Sequence, residues 1–183
     1  MIEAHAAADE QDRALVTRFL EGHRDAANGL VDRYHQRVFN VALRMLDNVQ
    51  DAEDVTQNVF LKAFLKLRTY DPRYRFFSWI YRMTVNEALN SLKRRKRTVP
   101  LEDELDVRAP GLAADRAAEL QDRLGKALMR LKPDDRAVVV LRHFVSFSYR
   151  EIAEVLEIPV KTVKSRLFTA RERLSLTLRG QGA

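Results

Sequence analysis

Apolar residues return at every third or fourth position through most of this chain, and that period constrains its fold more than any other feature. Leu15, Val16, Phe19 and Leu20 share one face of a helix predicted over 12–21, which Gly22 stops. Leu30, Val31, Tyr34, Val38, Val41, Ala42 and Met45 stripe a second helix from Ala26 to Leu46. Val55, Val59, Ala63 and Leu67, with Phe60 and Phe64 beside them, stripe a third that runs to Arg68. Asp51 is its expected N-cap, and Asp51, Glu53 and Asp54 suit the positive end of the helix dipole. Asp71-Pro72 then breaks the pattern, because proline disfavours helical geometry in the residue before it.

The period fails for longer between Thr98 and Asp115, where Pro100, Pro110 and Gly111 interrupt it and Glu102, Asp103, Glu104 and Asp106 make the chain acidic. This stretch reads as a flexible linker, 98–115. Beyond it, Leu120, Leu124, Ala127, Leu128 and Leu131 form the stripe of a helix starting near Arg116. Pro133 suits the first turn of the next, which turns Val138, Leu141 and Val145 inward. The expected fold is therefore all-α, with two small helical domains, 12–97 and 116–178, joined by that linker. No strand pattern competes with it.

The end of the second domain carries a sharper signal. Ser148-Tyr149-Arg150-Glu151 is a capping box that opens a short helix bearing Ile152, Val155 and Leu156. Glu157-Ile158-Pro159 makes a tight turn, and a longer helix buries Val163, Leu167, Ala170 and Leu174. Lys161, Lys164, Ser165 and Phe168 lie opposite that stripe, with Arg166, Arg171 and Arg173 also on the helix. This is a helix-turn-helix pattern, whose second helix is of the type that enters a major groove. A helical hairpin with a merely solvated basic face is the competing reading.

A second nucleic-acid signal lies from Tyr70 to Arg97. Arg73, Tyr74, Arg75 and Phe76 form an aromatic, basic loop, and the following helix carries Trp79, Tyr81, Arg82 and Asn86 before ending on Lys93, Arg94, Arg95, Lys96 and Arg97. Cations beside flat rings suit single-stranded nucleic acid, since phosphates need charge and unstacked bases need a new stacking surface. Phe77, Ile80, Thr84, Ala88 and Leu92 form a helical stripe, and rings at helical spacing are more often core than base-binding, so a core role for any single ring stands beside that reading. The run of five adjacent cations contributes nothing to a core; it serves a polyanion or is solvated.

Charge alternates along the chain in the same sense. Net charge is −5 over 1–60, +9 over 61–97, −3 over 98–135 and +5 over 136–183. Two basic blocks imply two separate nucleic-acid contacts. With no cysteine and four scattered histidines, neither a disulfide framework nor a metal or other cofactor site is expected. Glycine-rich phosphate loops and nucleophile constellations are also lacking, so an enzyme, or a small-molecule substrate, is not expected. No apolar run approaches the ~20 residues that span a bilayer, and the acidic amino terminus does not resemble a signal peptide. A cytoplasmic protein without membrane insertion is the expectation.

Three blocks in order are more selective than any one. They are Asp51-Ala52-Glu53-Asp54-Val55-Thr56-Gln57-Asn58-Val59-Phe60, Phe77-Ser78-Trp79-Ile80-Tyr81-Arg82-Met83-Thr84-Val85-Asn86, and Ser148-Tyr149-Arg150-Glu151-Ile152-Ala153 with Val163-Lys164-Ser165-Arg166-Leu167. Together they resemble a bacterial RNA polymerase sigma factor of the extracytoplasmic-function (ECF) type, within the sigma-70 family. The resemblance implies docking on core RNA polymerase through Asp54, Gln57, Asn58 and Leu61. It implies minus-ten recognition and melting through Asp71, Arg73, Tyr74, Arg75, Phe76, Trp79, Arg82 and Asn86, with Lys93, Arg94, Arg95, Lys96 and Arg97 on phosphates. It implies minus-thirty-five recognition through Lys161, Thr162, Lys164, Ser165, Arg166, Phe168, Thr169 and Arg171. Promoter DNA and an inhibitory anti-sigma factor are the further implied partners. The family commonly has an acidic residue at the position of Asn58 and arginine at that of Thr169. Two other readings remain open: a polymerase-independent helix-turn-helix regulator, and a module that binds only protein.

Overall fold

The computed structural model describes residues 2–98 and 116–179, with side chains placed for 9–95 and 120–178. The expected acidic linker lies, but for Thr98, outside the described residues. Eight α-helices are present among them: α1 (Ile2–Leu20), α2 (Asp25–Leu46), α3 (Val49–Lys66), α4 (Phe76–Thr98), α5 (Arg116–Met129), α6 (Pro133–His143), α7 (Tyr149–Leu156) and α8 (Val160–Arg179). A single 3-10 turn, Leu67–Thr69, follows α3.

The N-terminal region is α1 to α4, in which α2, α3 and α4 pack against one another and α1 lies across α2 and α4. Leu30, Val38, Val41, Met45, Val55, Val59, Ile80 and Ala88 fill its centre as their spacing demands. The C-terminal region is α5 to α8, closed around Leu128, Val138, Leu141, Ile152, Val163 and Leu167. Leu120 is the exception to its predicted stripe: it is 62% exposed, one full helical turn before Leu124, where α5 has left the packed layer.

Two helix starts differ in an instructive way. The capping box of α7 forms as expected, Glu151 N–H donating to Ser148 Oγ at 3.3 Å and Ser148 N–H to Glu151 Oε2 at 2.8 Å. The N-cap of α3 is Asn48 instead of Asp51. Asp47 closes α2 in the left-handed conformation (φ 53°), and extended Asn48 then accepts the Asp51 N–H at 2.9 Å. Asp51 therefore stands within the first turn, still on the favourable side of the dipole.

The two regions do not hang apart. α2 packs on α5 and α6, α4 packs on α7, and buried residues of both halves belong to one continuous apolar cluster. Arg136 on α6 joins them. It is 3% exposed, and its guanidinium donates to Leu128 O and Met129 O at 3.0 Å, to Leu131 O at 3.3 Å, and across to Met45 O at the end of α2. One side chain so satisfies carbonyls left unpaired at the ends of two helices. Burial pulls its pKa down to about 10, and nearby Asp47 opposes that shift.

Candidate nucleic-acid interface

The loop between α3 and α4 is held from below by rings. Phe76, Tyr70, Trp79 and Tyr34 form an aromatic cluster, with centroids of Tyr70 and Trp79 5.3 Å apart, Tyr34 edge-on to Phe76 at 5.4 Å and Phe76 5.7 Å from Trp79. Phe76 is only 3% exposed. That corrects its expected place among the base-contacting residues: its ring is core, and no base can stack on it. Trp79 is half-buried in the same cluster. The period of the α4 stripe carried this information, since Phe76 falls one turn before Ile80.

Above the cluster the loop is organised by its own polar groups. The Asp71 carboxylate accepts the Arg73 backbone N–H at 3.0 Å and Arg73 Nη2 at 2.6 Å. These donors hold the Asp71 pKa below the usual carboxylate range. Tyr70 Oη donates to Tyr74 O at 2.5 Å, which fixes the backbone while Tyr74 itself stands 53% exposed. Arg73 is exposed, and Asn86 is exposed on α4. A ring and a guanidinium in the loop, and an amide further along α4, are thus exposed to solvent.

Arg75 and Arg82 are engaged differently. Arg75 Nε pairs with Asp9 at 3.1 Å and its Nη1 with Glu151 at 3.2 Å. Arg82 Nη1 pairs with Glu157 at 2.8 Å and Nη2 donates to Glu154 O at 2.6 Å. Further along α4, Lys93, Arg94 and Arg95 are exposed, and Arg95 reaches Asp51 at 3.1 Å. The side chains of Lys96 and Arg97 lie outside the described residues.

On α8, Lys161, Lys164, Ser165 and Arg171 are exposed, and Phe168 is 65% exposed. Thr162 and Thr169 flank them, half-buried. Arg166 leans toward Asp134 at the start of α6, 3.8 Å away, and so sits at the edge of this face. Val163, Leu167 and Ala170 on the opposite side are buried. A helix anchored by one face and cationic on the other is what major-groove entry requires.

Asp54, Gln57 and Asn58 are exposed on α3, with Leu61 60% exposed in the next turn. Sequence reasoning missed Leu65, which is 74% exposed four residues on from Leu61. The signal available was the i, i+4 leucine pair off the buried stripe. A cleft of about 360 Å³ opens beside this face between α3 and α4, lined by Asp51, Asp54, Val55, Asn58, Ser91, Arg94 and Arg95. No group of three or more metal-ligating side chains occurs among the described residues.

An all-helical chain with an exposed basic helix-turn-helix and a second aromatic, basic surface is a nucleic-acid-binding protein of bipartite design. Family models match both parts: Sigma-70 region 2 over residues 30–98 and Sigma-70, region 4 over 121–174. The chain is 31% identical to the ECF RNA polymerase sigma factor SigW of Bacillus subtilis, covering 87% of this chain and 92% of that protein. Its fold is similar to that of CnrH in complex with the cytosolic domain of CnrY, with TM-score 0.73 and 29% identity over 93% of this chain and 98% of that one. It is also similar to the sigma factor RpoE in complex with the anti-sigma factor NepR from Bartonella quintana, with TM-score 0.69 and 25% identity over 83% and 96% of the two chains. The chain belongs to the sigma-70 family, as an ECF RNA polymerase sigma factor.

Proposed function

We propose that this sigma factor docks on core RNA polymerase through the outer face of α3, reads a minus-thirty-five element with α8, and captures unpaired minus-ten bases with the 70–75 loop and Asn86. The observation that supports this division of labour is the pairing of two cationic surfaces of different character on one chain. The α8 face is a straight helix with Lys161, Lys164, Ser165 and Phe168 exposed, suited to duplex. The loop presents Arg73 and Tyr74, held by its own hydrogen bonds, and α4 presents Asn86, groups suited to a base turned out of its stack. Asn86 offers a donor and an acceptor to a base edge, and Lys93, Arg94 and Arg95 hold phosphates without reading sequence.

Docking centres on Leu61, flanked by Asp54, Gln57 and Asn58; Leu65 extends the apolar spot by one turn. An apolar centre with a polar rim is the ordinary anatomy of a protein interface. The factor works by binding alone, in the cytoplasm, with two modest DNA contacts gaining affinity from one another by effective concentration. An anti-sigma factor is its inhibitory partner, by likeness to a relative whose structure was solved with one.

Co-elution with bacterial core RNA polymerase on a sizing column tests this reading. The chain is expected to co-elute stoichiometrically, and the paired change Gln57→Ala with Leu61→Ala to weaken it. A chain that stays free of polymerase while binding duplex DNA unaided would overturn it and leave a helix-turn-helix regulator.

A further inference from the structure

The loop between α3 and α4 opens on Asp71-Pro72-Arg73-Tyr74, and Tyr74 N–H donates to Asp71 O at 3.1 Å, closing a turn with aspartate first and proline second. The Asp71 carboxylate accepts the main-chain N–H of Arg73 at 3.0 Å, as aspartate does at the head of a turn. It also takes the Arg73 side chain along one edge, with Nε at 2.9 Å and Nη2 at 2.6 Å from Oδ2. Arg73 is 85% exposed, yet a single carboxylate holds it through three donors.

A guanidinium carries five N–H groups in a rigid fork. With Nε and one N–H of Nη2 taken, the edge left to a ligand is the far end, where Nη1 and Nη2 present two parallel donors. The charge of Arg73 is meanwhile countered from behind. Asp71 stays ionised, because the donors of Arg73 hold its pKa below the usual carboxylate range. Phosphate responds to charge, whereas a base edge responds to where the donors stand. A forked guanidinium with its charge offset is therefore the form that favours a base over the backbone.

We propose that Arg73 reads an unpaired guanine, its two end donors meeting O6 and N7, with Asp71 as the positioning residue and Tyr74 as the ring on which the base stacks. This deepens the minus-ten assignment and rests on it. Guanine sets two neighbouring acceptors on one edge of a double ring. Adenine sets an amino donor beside N7, and the acceptors of thymine flank an N–H. Cytosine joins O2 to N3, but on a single ring that covers less of Tyr74, which stands 53% exposed next in the chain. The Tyr70 hydroxyl, donating to Tyr74 O at 2.5 Å, holds the backbone that carries this ring.

The test uses oligothymidine strands with one central dG, dA, dC or 7-deaza-dG, titrated against the full-length chain alone and with core RNA polymerase. The modified base keeps O6 and its double ring but has C–H in place of N7. Wild type is expected to bind the dG strand about tenfold tighter than the dA or dC strand, within the usual worth of a bidentate arginine on guanine. Most of that gain should vanish on 7-deaza-dG. Arg73→Lys keeps the charge without the fork and should lose the preference. Asp71→Asn keeps an acceptor for the Arg73 main-chain N–H but releases the cation. It should bind every strand about twofold to threefold tighter, with a steeper salt dependence, while its preference for dG collapses. A merely structural Asp71 would instead weaken all strands alike.

Equal affinity for the four strands, a preference for dA or dC, or a dG preference kept in full on 7-deaza-dG would each overturn the guanine assignment and leave strand binding standing. So would a preference that survives in Arg73→Lys or Asp71→Asn. Strands bound by neither wild type nor variants, with polymerase or without it, would bring down the minus-ten assignment and the guanine assignment with it.

Discussion

Arg136 shows how far one residue's role can lie from what its type suggests. In a chain rich in exposed arginines it is buried and donates to four main-chain carbonyls, from both regions. Arg136→Met keeps the packing volume but leaves those carbonyls without a donor in a dry site, and is expected to cost about 3 kcal/mol. Arg136→Lys should recover only part of that, because an ammonium cannot span a fork of acceptors. Urea unfolding of the three proteins measures it, and equal midpoints would refute the role. Sequence could not have distinguished Arg136 from Arg130 or Arg142, since the carbonyls it meets are offered by the fold and carry no side-chain signature. Phe76 was misassigned for another reason: it was grouped with the loop and the stripe was begun at Phe77, although Phe76 stands one turn before buried Ile80 and is buried with it.

Tyrosine burial gives a second residue-scale expectation. Burial pushes Tyr70 and Tyr81 up to about 12, and raises Tyr34 as well, aided by its hydrogen bond to Asp12. The unfolded chain loses these protons near pH 10 while the folded chain keeps them, so the unfolded state binds fewer protons and stability falls as pH rises from about 10 to 12. Each tyrosine should contribute a slope of up to about 1.4 kcal/mol per pH unit in that window. Tyr81→Phe should lose one such share, visible as a shallower fall in urea midpoint between pH 9 and pH 11 (about that span). An unchanged slope would contradict it.

At the scale of elements, the helices and their inward faces were legible, and their ends less so. The α7 cap was readable because Ser148 and Glu151 stand at the spacing that a capping box needs, whereas Ser146 has Tyr149 three residues on and cannot form one. The start of α3 was not, because Asp47, Asn48 and Asp51 can each accept an amide N–H. The choice depended on Asp47 turning left-handed to end α2, a matter of backbone path. Asn48→Ala should therefore cost about 1 kcal/mol, and Asp51→Ala distinctly less, since Asp51 keeps only the dipole and its pair with Arg95. Thermal midpoints of the two variants order them; Asp51→Ala as the more damaging change would restore Asp51 as the cap. Leu120 was misplaced for a related reason, as an apolar period marks a face but not where the neighbouring layer stops.

For the whole molecule, the two regions were legible and their meeting was not. The contact uses residues that sequence reasoning assigned elsewhere: Arg75, Arg82 and Tyr81 to the nucleic-acid signal, Phe77 to the inward stripe of α4, and Glu151 to a cap. Long-range pairing between polar surfaces leaves no period to read. Its thermodynamic consequence is that α2 and α4 cannot unfold without stripping contacts from α5, α6 and α7. One shared apolar cluster makes a single cooperative transition the expectation for the wild-type chain, with calorimetric and van't Hoff enthalpies equal. Two transitions already present in the wild type would mean that the regions fold independently, and that closure adds no cooperativity to the molecule.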